Sequence, residues 1–148
     1  MYQWWTDWRQ KENRRKILLQ LYREVERNWE SVHVMQQRAV LDKFTLEIWQ
    51  KVKARPELKL ERRVIDYGVP FTAFNAAMDD FKKFEQWYSA DLTNKTTENA
   101  RILHDKKEIA SEKFKGLLDI AAEAKKILER DLLAEKILTP AMIISHAE

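Results

Sequence analysis

Residues 17–39 decide the fold, and they read ILLQLYREVERNWESVHVMQQRA. Apolar side chains recur there at steps of three and four residues, at Leu18, Leu21, Val25, Val32, Met35 and Ala39. Tyr22 and Trp29 widen this stripe, and the polar Asn28 falls on it. Such a period predicts a long amphipathic α-helix that buries one face. We expect the helix to run to about Leu41, and Thr6 or Asp7 could cap its beginning.

A second long helix is predicted from about Thr97 to Leu133. Its apolar residues again alternate at steps of four and three, at Ala110, Phe114, Leu117, Ala121, Ala124 and Leu128. Gly116 lies inside this run, where glycine costs about 1 kcal/mol relative to alanine. Its presence indicates either a close approach by a neighbouring helix or a kink.

Three shorter helices are predicted between the two long ones, over residues 42–54, 56–67 and 70–90. Residues 44, 46 and 48 also alternate as a strand would, but nothing nearby offers a partner strand, so we favour helix. Pro56 and Pro70 suit the first positions of new helices, and Gly68 suits a helix end because it readily adopts positive φ.

The composition supports this architecture, since Gly occurs only twice and Pro three times in 148 residues. The tight turns of a β-rich domain need many more of both. We therefore predict an all-α fold, an antiparallel helical bundle of four to five helices, two of them long. Its helix content should exceed roughly 65%, well above the usual third. The core is expected to contain Leu21, Val25, Val32, Phe74, Met78, Phe81, Phe114, Leu117 and Ala121.

The length suits one domain. We expect residues 1–148 to form a single helical-bundle domain, with residues 1–9 as an aromatic N-terminal segment and residues 139–148 as a C-terminal tail.

Residue types that carry chemistry are scarce. Cysteine is absent, which excludes disulfides and thiolate metal sites, and neither a Gly-rich phosphate loop nor a Gly-x-Ser-x-Gly elbow occurs. No apolar run approaches the roughly 18 residues of a membrane span. We therefore expect a non-enzymatic interaction or regulatory domain with no metal site, no cofactor and no small-molecule substrate.

Aromatic and basic residues are concentrated at the start of the chain. Trp4, Trp5 and Trp8 precede Arg14, Arg15 and Lys16, and Tyr2, Arg9 and Lys11 share the same stretch. This layout resembles the juxtamembrane start of cytoplasmic helical domains that follow a membrane anchor. Tryptophan favours membrane interfaces and bases favour anionic headgroups, but the same Trp residues could fill the bundle end or a dimer seam. We therefore expect the partner to be a protein, a second copy of the chain or a membrane surface. The expected location is the cytoplasm, and a membrane partner would place the protein at the inner face of that membrane.

Two alternatives remain. The segment from Arg27 to His33 resembles the signature of HEPN ribonucleases, which are also small helical bundles, although that family carries the signature late in the chain. The resemblance implies that Arg27 holds the scissile phosphate, Asn28 orients the pair and His33 is the general acid or base.

The second alternative concerns a basic stretch around Pro56, which could bind nucleic acid or form a solvated face. Its bases are Lys51, Lys53, Arg55, Lys59, Arg62 and Arg63.

Overall fold

The computed structural model describes residues 2–143, of which 82% are helical, with no strand among them. The α-helices are α1 (Tyr2–Arg38), α2 (Glu47–Val52), α3 (Arg62–Ala90), α4 (Thr97–Phe114) and α5 (Leu117–Ala134). Short 3-10 helices cover Pro56–Leu58, Leu92–Asn94 and Pro140–Met142. The predicted all-α fold is confirmed. Of the predicted terminal segments, Met1 and residues 144–148 lie outside the described residues.

The long helices pack as antiparallel neighbours. α3 and α4 form a hairpin across a short connection, and α5 packs against both α1 and α3. Two contacts along the α1–α5 pair show its direction. Arg14 pairs with Glu135 at 3.0 Å, and further along α1 the Tyr22 hydroxyl donates to Glu129 at 2.7 Å.

The beginning of α1 differs from the prediction. Thr6 and Asp7 do not cap the helix, because α1 already begins at Tyr2 and both residues lie inside it. No Gly or Pro interrupts the chain before Leu18, so nothing stops the helix there. At the other end α1 stops at Arg38 rather than Leu41, since Ala39 adopts a positive φ of 54°.

Residues 40–46 are not helical, so the helix predicted to begin at residue 42 begins only at Glu47. The strand-like alternation has a physical basis, because Phe44 and Leu46 are both buried while Thr45 is exposed. The missing partner is a side chain: the Asn75 amide accepts from the Phe44 backbone N–H at 2.8 Å and donates to its carbonyl at 2.9 Å. One asparagine on α3 thus satisfies the backbone as a neighbouring strand would.

The break predicted at Gly68 and Pro70 is absent, and α3 runs through both residues. Only a three-residue 3-10 helix follows Pro56. The reason lies in burial: residues 64, 67, 71, 74 and 78 form one buried stripe with helical spacing across Pro70. A side chain also bonds to the backbone there, since the Thr72 hydroxyl donates to the Gly68 carbonyl at 2.7 Å.

The helix predicted from Thr97 to Leu133 is instead two helices, α4 and α5, separated at Lys115 and Gly116. Gly116 has a φ of 84°, which favours glycine. A Cβ at this position would have no atom within 4 Å, so the glycine marks a kink and not a close helix approach. The break allows α4 to remain on α3 while α5 turns onto α1.

Every α-helix contributes to the core. The predicted core residues are buried apart from Phe81 and Phe114, which are partly buried and pack against it. The sequence did not indicate that Trp49 and Leu58 would be buried as well, nor the chain just after α5, where Ile137 and Leu138 fold back onto the core.

Candidate functional site

Three tryptophans form an exposed aromatic cluster on the first turns of α1. Trp4, Trp5 and Trp8 are 65%, 58% and 50% exposed. Their rings contact one another edge to face, with centroids 5.7 Å apart for Trp4 and Trp5 and 5.8 Å apart for Trp5 and Trp8. We call these three residues the Trp surface. They do not fill the end of the bundle, so that explanation of the aromatic residues fails for the single chain.

The Trp surface is exposed because α1 extends beyond the end of α5, the helix that packs against it. α5 ends at Ala134, and the pair between Arg14 and Glu135 lies at its last turn. All of residues 3–11 are exposed, and the first fully buried side chain of α1 is that of Leu18. The beginning of α1 therefore extends beyond the core.

The bases predicted to act with the tryptophans divide into two groups. Arg15 and Lys16 are exposed, as are Arg9 and Lys11. Arg14 instead points at the bundle, where its guanidinium pairs with Glu135 and donates to the Leu58 carbonyl at 3.3 Å. The structure therefore keeps Arg15 and Lys16 available to a partner and assigns Arg14 to holding α1 against the body.

The charge of the chain is concentrated in this same segment. Residues 1–16 contain five bases and two acids, whereas the remaining residues contain 22 of each. The formal net charge of +3 for the whole chain therefore equals that of its first 16 residues. A count along the sequence would have found this asymmetry, which the total alone conceals.

A cleft of about 540 Å³ lies on another side of α1, between this helix and the connection from α2 to α3. It is lined by Asp7, Gln10, Lys11, Asn13, Arg14, Arg55, Glu57 and Leu58, and none of the three tryptophans faces it. Arg55 and Glu57 pair with each other at 2.7 Å. The cleft is thus a polar surface that none of the three tryptophans lines, and a neighbouring hollow that shares Gln10 and Asn13 with it is lined by Trp5.

The three residues of the ribonuclease alternative do not converge. Arg27 is exposed, whereas Asn28 is only 2% exposed and donates into the core, to the Thr45 carbonyl at 2.9 Å and the Tyr67 hydroxyl at 3.3 Å. His33 is partly buried and stacks edge to face on Trp29 at 4.5 Å. Because its amide is held by backbone and tyrosine, Asn28 is not placed to orient an arginine and a histidine around a phosphate.

A buried carboxylate next to Asn28 explains how α2 is held. Glu24 is 4% exposed, and its two oxygens accept from the backbone N–H groups of Ile48 and Trp49 at 2.8 and 3.0 Å. These are donors of the first turn of α2, so a side chain of α1 caps another helix. Burial raises the pKa of the Glu24 carboxyl, and the two backbone hydrogen bonds offset only part of that effect. No pattern in the sequence indicated this role.

A half-buried polar cluster joins α1 to α5. The Tyr22 hydroxyl donates to Glu129, which also accepts from Lys125 at 2.7 Å, and the Lys125 ammonium lies 5.0 Å from the centre of the Trp29 ring. Burial, followed by the nearby Glu129 carboxylate, raises the pKa of Tyr22 far above its usual range. This cluster supports helix packing.

Three of the six bases around Pro56 pair with neighbouring acids. Arg55 pairs with Glu57, Arg62 with Asp66, and Arg63 with Glu61 and Glu123. The ammonium of another of its bases, Lys53, lies 4.8 Å from the centre of the Trp49 ring. Ion pairs of this kind describe a solvated face better than a continuous positive surface for phosphates.

Comparisons with known proteins add no relative. No protein-family model matches the chain, and no curated protein or solved structure is significantly similar to it. No helix within residues 2–143 is long and apolar enough to cross a bilayer. Among those residues, no three His, Cys, Asp or Glu side chains are grouped so that they could hold a metal ion. Function must therefore be inferred from the chain's own surface.

Proposed function

We propose that this chain is a non-enzymatic helical interaction module that docks onto a partner through the Trp surface. The observation that carries the proposal is the exposure of three contacting indole rings beyond the bundle core. Contiguous exposed apolar surface marks interaction sites in folded proteins. Tryptophan is also one of the residue types enriched among those that dominate binding energy.

Two classes of partner fit this surface: a protein, including a second copy of the chain, or the interface of a membrane. The expected location is the cytoplasm, and a membrane partner would place the module at the inner face of that membrane. The remaining polar clusters support packing, as the roles of Glu24, Asn28 and Tyr22 illustrate. A surface-docking role therefore accounts for a cluster of exposed aromatic residues that packing does not use.

The test replaces the Trp surface without touching the core. The variant Trp4→Ser/Trp5→Ser/Trp8→Ser is compared with Trp87→Ser, because Trp87 lies on α3 and is also exposed, at 47%. Sedimentation velocity over a range of protein concentrations reports self-association, and flotation with lipid vesicles reports membrane binding. We expect the wild type to dock in at least one assay, the triple variant to lose that docking and Trp87→Ser to keep it.

Three results would overturn the proposal. The first is a triple variant that associates as the wild type does, and the second is a wild type that docks in neither assay. The third is robust RNA cleavage that both Arg27→Ala and His33→Ala abolish, because that outcome favours the ribonuclease alternative.

A further inference from the structure

The exposed bases among residues 9–16 lie on the side of α1 that carries the tryptophans, or at its edges, and Lys11 at one edge also lines the cleft. Lys11 follows Trp4 by seven residues and Arg15 follows Trp8 by seven, a spacing of about two helical turns. Arg9 follows Trp5 by four residues, and Lys16 follows it by eleven, so both also lie near its side of the helix. The indole rings therefore form the tip of α1, and a basic band follows them.

We infer that the partner of the Trp surface is the anionic surface of a lipid bilayer; this inference rests on the proposed function. Tryptophan rings have an apolar body and a polar N–H group, and they concentrate at the boundary between headgroups and acyl chains. Bases next to such an anchor lie at the height of the headgroups. Each Lys or Arg near an anionic leaflet strengthens binding by about fivefold.

The charge distribution favours this partner over a second copy of the chain. In a two-fold dimer the same patch of each copy faces the other. Contact through the Trp surface would then join two patches that each carry Arg9, Arg15 and Lys16, with Glu12 as the only acid among residues 8–16. An anionic bilayer instead complements a segment that holds the whole positive excess of the protein.

The experiment measures partition of the full chain into vesicles of phosphatidylcholine alone and of phosphatidylcholine with phosphatidylserine. The site variant is Arg9→Gln/Arg15→Gln/Lys16→Gln. Its control, Lys95→Gln/Lys107→Gln/Lys113→Gln, removes the same charge from exposed positions in α4 and the connection before it. We expect the wild type to prefer the anionic vesicles and to lose this preference in high salt. The site variant should bind them on the order of a hundredfold more weakly, and the control should change little.

Brominated lipids show whether the indole rings are the inserted groups. We expect them to quench the fluorescence of the wild type and of Trp87→Ser, and not to quench Trp4→Ser/Trp5→Ser/Trp8→Ser. Equal partition into neutral and anionic vesicles, or an equal loss for the site and control variants, would overturn the lipid inference. Association through the Trp surface that occurs only between copies would also overturn it and leave the proposed docking role standing. Loss of every association would remove both.

Discussion

At the scale of single residues, Gly68 shows how one position determines how closely two helices can pack. Gly68 lies where the Trp49 indole packs against α3, and a Cβ at this position would overlap the ring carbons. The same indole donates its N–H to the Ile65 carbonyl at 2.7 Å, which fixes its position. The glycine is therefore required for the close approach of α2 to α3, and not for a helix end.

The first prediction concerns this contact. Gly68→Ala should lower the free energy of unfolding by about 1–3 kcal/mol, because the added methyl group overpacks a fixed ring. In a Trp49→Leu background the same substitution should cost less, since the ring is gone, and alanine favours helix over glycine by up to about 1 kcal/mol. Urea denaturation of the four proteins measures the coupling. An equal loss of unfolding free energy in both backgrounds would show that the indole does not restrict the size of the residue at position 68.

The second prediction uses the buried carboxyl of Glu24. Its folded pKa is raised above the ordinary value of 4.5. Its contribution to stability is therefore fully present below that value and is lost as the pH rises through the raised pKa. The free energy of unfolding of the wild type, relative to Glu24→Gln, should thus fall as the pH increases from about 4 to 7.

Chemical denaturation at several pH values measures this difference. Carboxyls whose pKa values are lowered, such as that of Asp42 beside Lys82, contribute the opposite slope but are common to both proteins and cancel. A difference that grows with pH would mean that the two backbone N–H groups stabilise the carboxylate more strongly than burial opposes it.

At the scale of elements, the sequence predicts what is local and misses what depends on distant residues. The stripe of α1 was recognisable because its spacing repeats over many turns. The non-helical course of residues 40–46 was not, because it depends on the amide of Asn75, 31 residues beyond Phe44. The persistence of α3 through Pro70 likewise depends on burial of residues on both sides of the proline.

The third prediction concerns the break between α4 and α5. Gly116 adopts φ 84°, a region in which a residue with a Cβ is strained by about 1–2 kcal/mol. Gly116→Ala should therefore lower the free energy of unfolding by about 1 kcal/mol, even though nothing lies near the new methyl group. Gly116→Asn, which tolerates this region better, should lose less. Thermal unfolding compares the three proteins, and an alanine variant as stable as the wild type would mean that the kink relaxes into continuous helix.

At the scale of the whole molecule, the sequence predicted which residues form the candidate site but not whether they are exposed. The residue types of the Trp surface and its bases are visible in the sequence. Whether another element covers them depends on where α5 ends relative to α1, and that follows from the turn after Gly116 and the pairing of Arg14 with Glu135. The same geometry removed Arg14 from the exposed set.

The last prediction separates stability from docking. Residues 3–8 are all exposed, and the first buried side chain of the helix is that of Leu18, which is 1% exposed. Removal of residues 3–8 should therefore change the free energy of unfolding by less than about 0.5 kcal/mol, the usual range for surface changes. Leu18→Ala should cost about 2–5 kcal/mol because it leaves a cavity in the core.

The two changes should have the opposite effects on membrane docking, because docking depends on the Trp surface and not on the core. The shortened protein should lose its affinity for anionic vesicles, and Leu18→Ala should retain it at temperatures where the bundle is folded. Urea denaturation and vesicle flotation measured on the same samples test both halves. If the shortened protein were destabilised by as much as Leu18→Ala, the tryptophans would belong to the packing of the bundle, and their exposure would not indicate a partner.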